Sequence, residues 1–428
     1  MPLPNYELSL IIVSDKEFNN WLELLAHVHE TLERLKLSYE ILVAAAKPDK
    51  TTRGLLEENH CTLISASTEN YGILLRTAIH QAVGSYILTI DADQTKPGDL
   101  IRRLWEERGA AEITIGSRYR QGGTADMPAT RKLLSRFLNL LFSSGLDLQV
   151  RDMSSAFRLY KSQVLKTLVL ESRDHEILQE ILVRALMAGY RIGEIPFHYR
   201  SQDNAFSRAL QFGWSYLKTF ARLWKLRNSI ASADYDARAY DALMPPQRYW
   251  QRQRYKIITR LIRENGKNNR VVDVGCGSSR IIGALPAGSV VLDILIRKLR
   301  YSRRFGKPAV QGSIFALPVP KQSFPCVLCS QVIEHIPRAN VLDELDRVLQ
   351  PGGFLVLGTP DYGNWQWLVI EWLYKVLLPQ AYADEHITHY TYRELVDEFV
   401  TKRGYRLESA SYILRGELIL GLRKSARD

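Results

Sequence analysis

Val271-Val272-Asp273-Val274-Gly275-Cys276-Gly277 decides the fold of one half of this chain, and Tyr86-Ile87-Leu88-Thr89-Ile90-Asp91-Ala92-Asp93 decides the other. Each is a short apolar run, rich in branched residues, that stops at acids or glycines. Ligands of open α/β sheets bind outside the carboxyl ends of strands, so both stops are binding-site candidates. The glycines after Asp273 let a backbone approach a ligand at the N-terminus of a helix expected over 279–285. An acid about 20 residues further on, at a second strand's end, is placed to hold a ribose hydroxyl. Asp293, in Val290-Val291-Leu292-Asp293, meets that requirement. Asp91 and Asp93, two residues apart on a chain leaving its strand, can both reach one divalent ion, Mg²⁺ or Mn²⁺. Such an ion would neutralise the charge of a departing diphosphate.

Around these two stops, strand and helix signals alternate. Leu8-Ser9-Leu10-Ile11-Ile12-Val13 and Ile41-Leu42-Val43-Ala44 read as strands, and 18–36 has helical apolar spacing. That alternation predicts α/β domains with mostly parallel sheets. Residues 228–246 lose the apolar periodicity and read as an inter-domain linker. A helix over 247–264 follows. The 428 residues, 46% hydrophobic, suffice for two or three cores.

No apolar run reaches the roughly 18 residues of a membrane span. The opening Met-Pro-Leu-Pro-Asn-Tyr-Glu lacks the basic-then-apolar pattern of a signal peptide, so a cytoplasmic location is expected. Four cysteines are too few for a disulfide framework, and Cys326-x-x-Cys329 falls in a strand-like run, where buried reduced thiols are expected. The net charge of +11 favours an anionic partner. No nucleic-acid-binding pattern is present, which leaves lipid headgroups or phosphorylated substrates. Residues 206–226 and 131–142 are amphipathic and basic, and either lie on an anionic bilayer at the inner membrane face or pack on their own domain.

In the first half, Asn70-x-Gly72, Ala82-x-Gly84, Asp91-Ala92-Asp93, Pro97 and Ile115-Gly116-Ser117-Arg118-Tyr119 occur in order. Arg151-Asp152-Met153-Ser154-Ser155-Ala156-Phe157-Arg158 and Glu194-Ile195-Pro196-Phe197 follow. The set resembles family 2 glycosyltransferases, nearest the dolichyl- and polyprenyl-phosphate mannose or glucose synthase branch, over about 7–228. The resemblance implies a GT-A fold and inverting transfer from a nucleotide sugar to a polyprenyl-phosphate or glycan acceptor. It implies that Asp91 and Asp93 hold metal and diphosphate, that Glu17 touches the nucleoside, and that Asp152 is an acceptor-side acid, the candidate base for a hydroxyl acceptor. Glu180 matches the Glu of the preceding helix. Arg118, Arg200 and Arg208 become acceptor-phosphate ligands through forked hydrogen bonds. The family's Asp-Asp-Gly-Ser after the second strand is here Ala45-Ala46-Lys47-Pro48, with Asp49 as a shifted substitute.

In the second half, Asp273-x-Gly275-x-Gly277 is followed by Ala316-Leu317-Pro318, Gln331-Val332-Ile333-Glu334-His335 and Leu345-x-Arg347-Val348-Leu349-x-Pro351-Gly352-Gly353. This resembles class I S-adenosylmethionine-dependent methyltransferases over about 247–422 and implies a Rossmann-like domain. It implies that Asp273, Gly275 and Gly277 line the methionine side and that Asp293 holds the ribose. Ser313 and Ile314 would lie at the adenine, and Gln331 and Glu334 at the methyl pocket. An O-methyl acceptor needs a base, for which His335, His386 and His389 are candidates. The spacing of His386 and His389 beside Glu385 also suits metal ligands.

The expected molecule is thus an α/β chain with a glycosyltransferase domain (1–228), a linker (229–246) and a methyltransferase domain (247–428). The alternative is a methyltransferase carrying a degenerate, binding-only glycosyltransferase-like module.

Overall fold

A computed structural model describes residues 6–15, 18–66, 68–94, 96–200, 213–242, 245–266, 270–338, 340–377 and 386–426. The chain divides into two compact units, Met1–Arg227 and Asn228–Asp428.

The first unit is built on β1 (Leu8–Ser14), β2 (Tyr39–Ala46), β3 (Thr62–Ala66), β4 (Tyr86–Asp91), β5 (Ile113–Ser117), β7 (Arg158–Lys161) and β8 (Ile192–Pro196). They form one sheet of order β3-β2-β1-β4-β7-β5-β8, in which only β7 runs antiparallel to its neighbours. Short β6 (Thr124–Asp126) and β9 (His198–Arg200) pair beside it. β1 is buried on both faces, as a parallel strand covered by helices must be. Ile11 and Val13 enter one core, and Leu8, Leu10 and Ile12 enter the other. The expected helix over 18–36 forms at Trp21–Arg34 and buries Trp21, Leu24, Leu25, Val28 and Leu32.

The second unit contains β10 (Val271–Val274), β11 (Val290–Asp293), β12 (Ala309–Gln311), β13 (Phe324–Ser330), β14 (Leu349–Pro360), β15 (Arg406–Ile413) and β16 (Glu417–Arg423). Their order is β12-β11-β10-β13-β14-β16-β15, in which only β16 runs antiparallel to its neighbours. Cys326 and Cys329 lie on β13 and point into opposite cores, so the two thiols share no ligand or disulfide; burial raises both, Cys326 to about 12.

Both sheets therefore contain the 3-2-1-4 order of a doubly wound fold. The chain crosses from one side to the other between β1 and β4, and again between β10 and β13. Each reversal opens a crevice at the strands' carboxyl ends.

Residues 228–242 depart from the linker expected over 229–246. They belong to the second unit and contain a helix, Tyr235–Tyr240. Ser232, Ala233, Ala237 and Ala239 are buried. Small residues pack closely without the large apolar side chains that periodicity detects, which is why the segment reads as polar linker. The helix expected over 247–264 forms at Pro245–Gly266, anchored where Glu417 accepts from Trp250 Nε1 and from Arg254 Nε (2.6 Å) and Nη2 (2.7 Å).

Candidate functional sites in the two crevices

In the first unit, Asp91 closes β4 and Asp15 lies just past β1. Tyr71, at the start of the helix Tyr71–Gln81, donates its hydroxyl to Asp91 Oδ1 at 2.8 Å. His175 stacks on the Tyr71 ring with centroids 4.2 Å apart, and its Nε2 lies 3.3 Å from Asp15 Oδ2. Gly72 makes the docking of the 172–175 loop possible, since a Cβ there would sit 2.8 Å from the Arg173 carbonyl. Asn70 Nδ2 holds Asp174 Oδ2 at 3.0 Å from the same turn. Burial, then neighbouring Asp93, raises the Asp91 carboxyl to about 7. Burial lowers the His175 pKa, but the hydrogen bond to Asp15 and the charges of Asp91 and Asp15 outweigh it, so the net shift is upward. Asp93 is exposed and accepts from Gln94 Nε2 and, at 3.4 Å, from Tyr199 Oη. A buried strand-end carboxylate short of positive charge fits a divalent ion, with Asp91 and Asp93 as the residues that would hold it.

Asp152 and Arg118 do not fit the roles expected of them. Asp152 is fully buried and takes Arg118 Nε at 2.8 Å, Arg118 Nη2 at 2.7 Å and the Arg118 backbone N–H at 2.9 Å. Backbone N–H groups of Ser154 and Ser155 reach its Oδ1 as well. Burial raises the Asp152 pKa, but Arg118 more than reverses this and holds it below the usual carboxylate range. A carboxylate so held is a poor proton acceptor, and a guanidinium so used has little left for a phosphate. The pair is a strut under the crevice. Glu180 has a similar part: fully buried, it accepts from Glu171 N, Ser172 N and Arg184 Nε and shapes the loop that delivers His175. Asp49, the shifted substitute, N-caps the helix Lys50–Glu58 by accepting from Thr52 N at 2.7 Å. Glu17 and Arg208 lie outside the described residues, as does the side chain of Arg200 at the end of β9.

His175 and Tyr71 went unnoticed in the sequence. The available signal was the polar island Arg173-Asp174-His175-Glu176 between apolar segments.

In the second unit, the expected cofactor residues converge at the carboxyl ends of four adjacent strands. Gly275 and Gly277 have φ of +70° and +56°, the left-handed region open to glycine. A Cβ on Gly275 would meet Val332 Cγ2 at 2.3 Å, and one on Gly277 would meet Asp236 Oδ2 at 2.7 Å. Asp293 ends β11 and accepts from Gly277 N and Leu295 N, both at 2.8 Å. Ser313 and Ile314 occupy the turn after β12, where Gly312 N donates to Asp293 O at 3.1 Å. Asp273 is buried, and burial followed by Asp293 raises it to about 8. A ligand carrying positive charge, as S-adenosylmethionine does on its amine and sulfonium, would relieve that penalty. Asp236 is a further partner of the glycine turn: it accepts from Ser278 N, Ser278 Oγ and Lys298 Nζ, all at 2.9 Å. Burial raises Asp236, but Lys298 and Ser278 overcome this and bring it to about 2.

Beyond β13, Gln331 has φ +59°, in the left-handed region that non-glycine residues adopt uncommonly. Ser330 Oγ, Gln331 Nε2, Glu334 Oε1 and Trp367 Nε1 are buried with no hydrogen-bond partner. So many orphaned polar atoms around one strand end mark a pocket that a ligand completes. Glu334 is fully buried and raised to about 7 by burial. His335 and His386 meet with ring centroids 4.8 Å apart, and His389 stacks on Tyr362 at 4.0 Å. All three candidate bases thus gather near Glu334. Glu385 lies outside the described residues.

Comparison with known proteins agrees with this division. The Glycosyl transferase family 2 model matches residues 9–169, and the Methyltransferase domain model matches residues 272–357. An uncharacterised glycosyltransferase of Synechocystis is 30% identical over 171 residues, 38% of this chain and 52% of that protein. The polyprenol monophosphomannose synthase of Mycolicibacterium smegmatis is 28% identical over 129 residues, 29% of this chain and 49% of that protein. The chain spans about half the length of these curated relatives. Glucosyl-3-phosphoglycerate synthase from Mycobacterium tuberculosis, crystallised with Mn²⁺, uridine diphosphate and glucosyl-3-phosphoglycerate, gives a TM-score of 0.41. It is 14% identical, over 51% of this chain and 80% of that one. The chain carries a family 2 glycosyltransferase domain over residues 9–169 and a methyltransferase domain over residues 272–357, each on a doubly wound α/β sheet.

Proposed function

We propose that the protein is a bifunctional transferase. The first unit would move a sugar from a nucleotide sugar to a polyprenyl phosphate or a related glycan acceptor. The second would move a methyl group from S-adenosylmethionine to a sugar, glycan or related acceptor. One observation carries the reading: each crevice ends a central strand in an acid that no Arg or Lys among the described residues pairs, Asp91 held by the Tyr71 hydroxyl in one and buried Asp273 in the other.

In the first unit, Asp91 and Asp93 hold a Mg²⁺ or Mn²⁺ ion, which when bound offsets charge on the departing diphosphate. Tyr71 fixes the Asp91 carboxylate, and His175 on Asp15 adds positive charge beside it. With Asp152 tied to Arg118, a hydroxyl acceptor lacks its expected base. A phosphate acceptor is already a nucleophile and needs none, so the geometry favours the polyprenyl-phosphate class.

In the second unit, Asp293 holds the ribose, Asp273 faces the charged methionine end, and Ser313 and Ile314 flank the adenine. S-adenosylmethionine brings its own leaving group, so the protein's task is chiefly to position the acceptor.

A lipid-linked acceptor suits the surface of the first unit. Leu133, Phe137 and Leu140 on the helix Ala129–Gly145 are exposed, as are Leu217 and Trp224 on the helix Gly213–Arg227. The two helices touch through Phe142 and Phe220, 5.3 Å apart, and Arg136, Lys218 and Lys225 are exposed beside the apolar side chains. Apolar side chains ringed by cations fit the interface of an anionic membrane. Among the described residues no helix is long and apolar enough to cross one. Contact would thus be peripheral, at the inner face and from the cytoplasmic side.

The alternative, a methyltransferase with a binding-only first unit, is favoured by one feature: β2 ends in Ala45-Ala46, without an acid. Incubating the full chain with polyprenyl phosphate, Mn²⁺ and each common nucleotide sugar separates the two. Release of nucleoside diphosphate coupled to lipid glycosylation supports the bifunctional enzyme. Its absence with every donor, alongside methyl transfer, establishes the alternative.

A further inference from the structure

Among the described residues, one group of three His, Cys, Asp or Glu side chains brings its ligand atoms within 4.8 Å of one another: Glu334, His335 and His386. Two segments far apart in sequence supply them, and backbone bonds hold those segments together. Ile387 N and Thr388 N donate to Glu334 O at 2.8 and 3.0 Å, and Thr388 Oγ1 donates to Ile336 O at 2.6 Å. The convergence is thus built into the fold.

The side chains are prepared as well as placed. Glu334 Oε2 accepts from Thr359 Oγ1 at 3.1 Å, while Oε1 is fully buried without a partner. A buried carboxylate oxygen left unpaired is costly unless something else satisfies it. Tyr362 donates to Glu371 Oε1 at 3.1 Å, so its oxygen accepts from His386 Nδ1–H at 2.7 Å. That relay keeps the ring proton on Nδ1 and the lone pair on Nε2, the arrangement that orients metal-binding histidines. Trp367 stacks on the same ring at 5.9 Å and fixes its plane.

We propose that Glu334, His335 and His386 form a divalent metal site in the methyltransferase unit. Two imidazoles and one carboxylate suit a transition metal such as Zn²⁺ or Mn²⁺ better than Ca²⁺, and leave coordination positions open. An ion with bonds near 2.1 Å draws such ligand atoms to about 3.4 Å apart, a closure that small side-chain rotations supply.

The role of the site rests on the methyltransferase reading above. The 331–335 segment lies against the glycine turn, with Val332 packed on Gly275. The open positions would therefore face the methyl donor and hold the acceptor hydroxyl. A hydroxyl bound to the ion is more acidic. It gives its proton to water, and its oxygen forms the new bond to the methyl carbon. The carbon–sulfur bond breaks with its electron pair left on sulfur, releasing S-adenosylhomocysteine. The substrate class implied is a sugar or polyol hydroxyl rather than a carbon or nitrogen acceptor.

The test uses the full chain carrying Asp93→Ala, which removes the other ion site, stripped with chelator and dialysed against Mn²⁺ or Zn²⁺. One ion per chain is expected. His386→Ala and Glu334→Gln should each weaken binding at least about tenfold, and Tyr362→Phe, which removes only the orienting hydroxyl, by roughly 10–100-fold. Far-ultraviolet circular dichroism and thermal unfolding of the same samples confirm that the variants fold, and S-adenosylmethionine titrated into His386→Ala and Tyr362→Phe reads the cofactor site separately. No bound ion, or ion binding unchanged in both His386→Ala and Tyr362→Phe, overturns the site. If S-adenosylmethionine binds while the ion does not, only this inference fails. If the ion binds and S-adenosylmethionine does not, the methyltransferase reading fails instead.

Discussion

The two units share the 3-2-1-4 strand order but end one equivalent strand in opposite ways. In the first, Ser14 pairs with Ala45, and the next residue on β2 is Ala46. In the second, Val274 pairs with Leu292, and the next residue on β11 is Asp293. Asp293 grips the glycine turn beside it; Ala46 grips nothing, and Asp49 is used as a helix cap. Under the proposed function, the second unit's crevice would read a ribose from its second strand. The first unit's crevice offers instead Asp15, Asp91, Asp93 and the loop that carries His175, which the proposed function would assign to its nucleotide. A shared topology fixes where a ligand sits, but not which strand recognises it.

A second contrast runs within the first unit. Asp152 is fully buried and Asp91 half-buried, yet Asp152 is paired directly with Arg118 while Asp91 takes a tyrosine hydroxyl, with His175 nearby on Asp15. The contrast supports reading Asp152 as framework and Asp91 as part of the proposed site.

The largest expected effect breaks the framework member. Asp152→Ala leaves the Arg118 guanidinium buried without its partner, which costs about 3–5 kcal/mol. The thermal transition of the first unit should fall, whereas S-adenosylmethionine binding should not change. A variant that stays folded at wild-type temperature but loses glycosyl transfer would restore Asp152 to catalysis.

Asp91→Asn should do the reverse. Donor turnover falls by about 10²-fold or more, as expected when a preorganised charge-stabilising group is lost. The unliganded protein at pH 8 becomes more stable, because a penalised buried charge is gone. Calorimetry beside turnover reads both signs.

Much of this was legible in the sequence. The runs that carry Asp91 and Asp273 and the acid at Asp293 lie where local pattern placed them, because strand ends and glycine turns are local features, whereas Ser313 was named only through the family resemblance. What escaped depends on distant contacts. Arg118 finds Asp152 across 34 positions and His175 finds Asp15 across 160, and nothing local to either residue reveals the partner. Asp236 was hidden in a segment of small and polar residues whose packing leaves no period.

Smaller effects sharpen the contrast in the second unit. Asp293→Ala removes the ribose ligand and should weaken S-adenosylmethionine about 10–100-fold, the value of one charged hydrogen bond. Asp273 gives a pH dependence. Its folded pKa, about 8, lies above the ordinary aspartate value of 3.8. The folded state therefore binds the extra proton, and its contribution is fully present below about pH 4 and lost as pH rises toward 8. Unliganded second-unit stability should decline over that range, and Asp273→Asn should flatten the decline. A wild-type slope matching that of the variant would contradict the assignment. The smallest effect is at the surface: Phe137→Glu with Trp224→Glu should lower co-sedimentation with anionic vesicles severalfold while leaving S-adenosylmethionine binding intact.

The most direct test of two working crevices is a thermal-shift titration of the full chain with UDP-, GDP-, CDP- and dTDP-sugars, with and without Mn²⁺, on wild type and Asp93→Ala. A Mn²⁺-dependent shift for one nucleotide, lost in Asp93→Ala, is the predicted result. No shift with any donor, beside a clear shift with S-adenosylmethionine, would contradict the account and leave one transferase on a binding module.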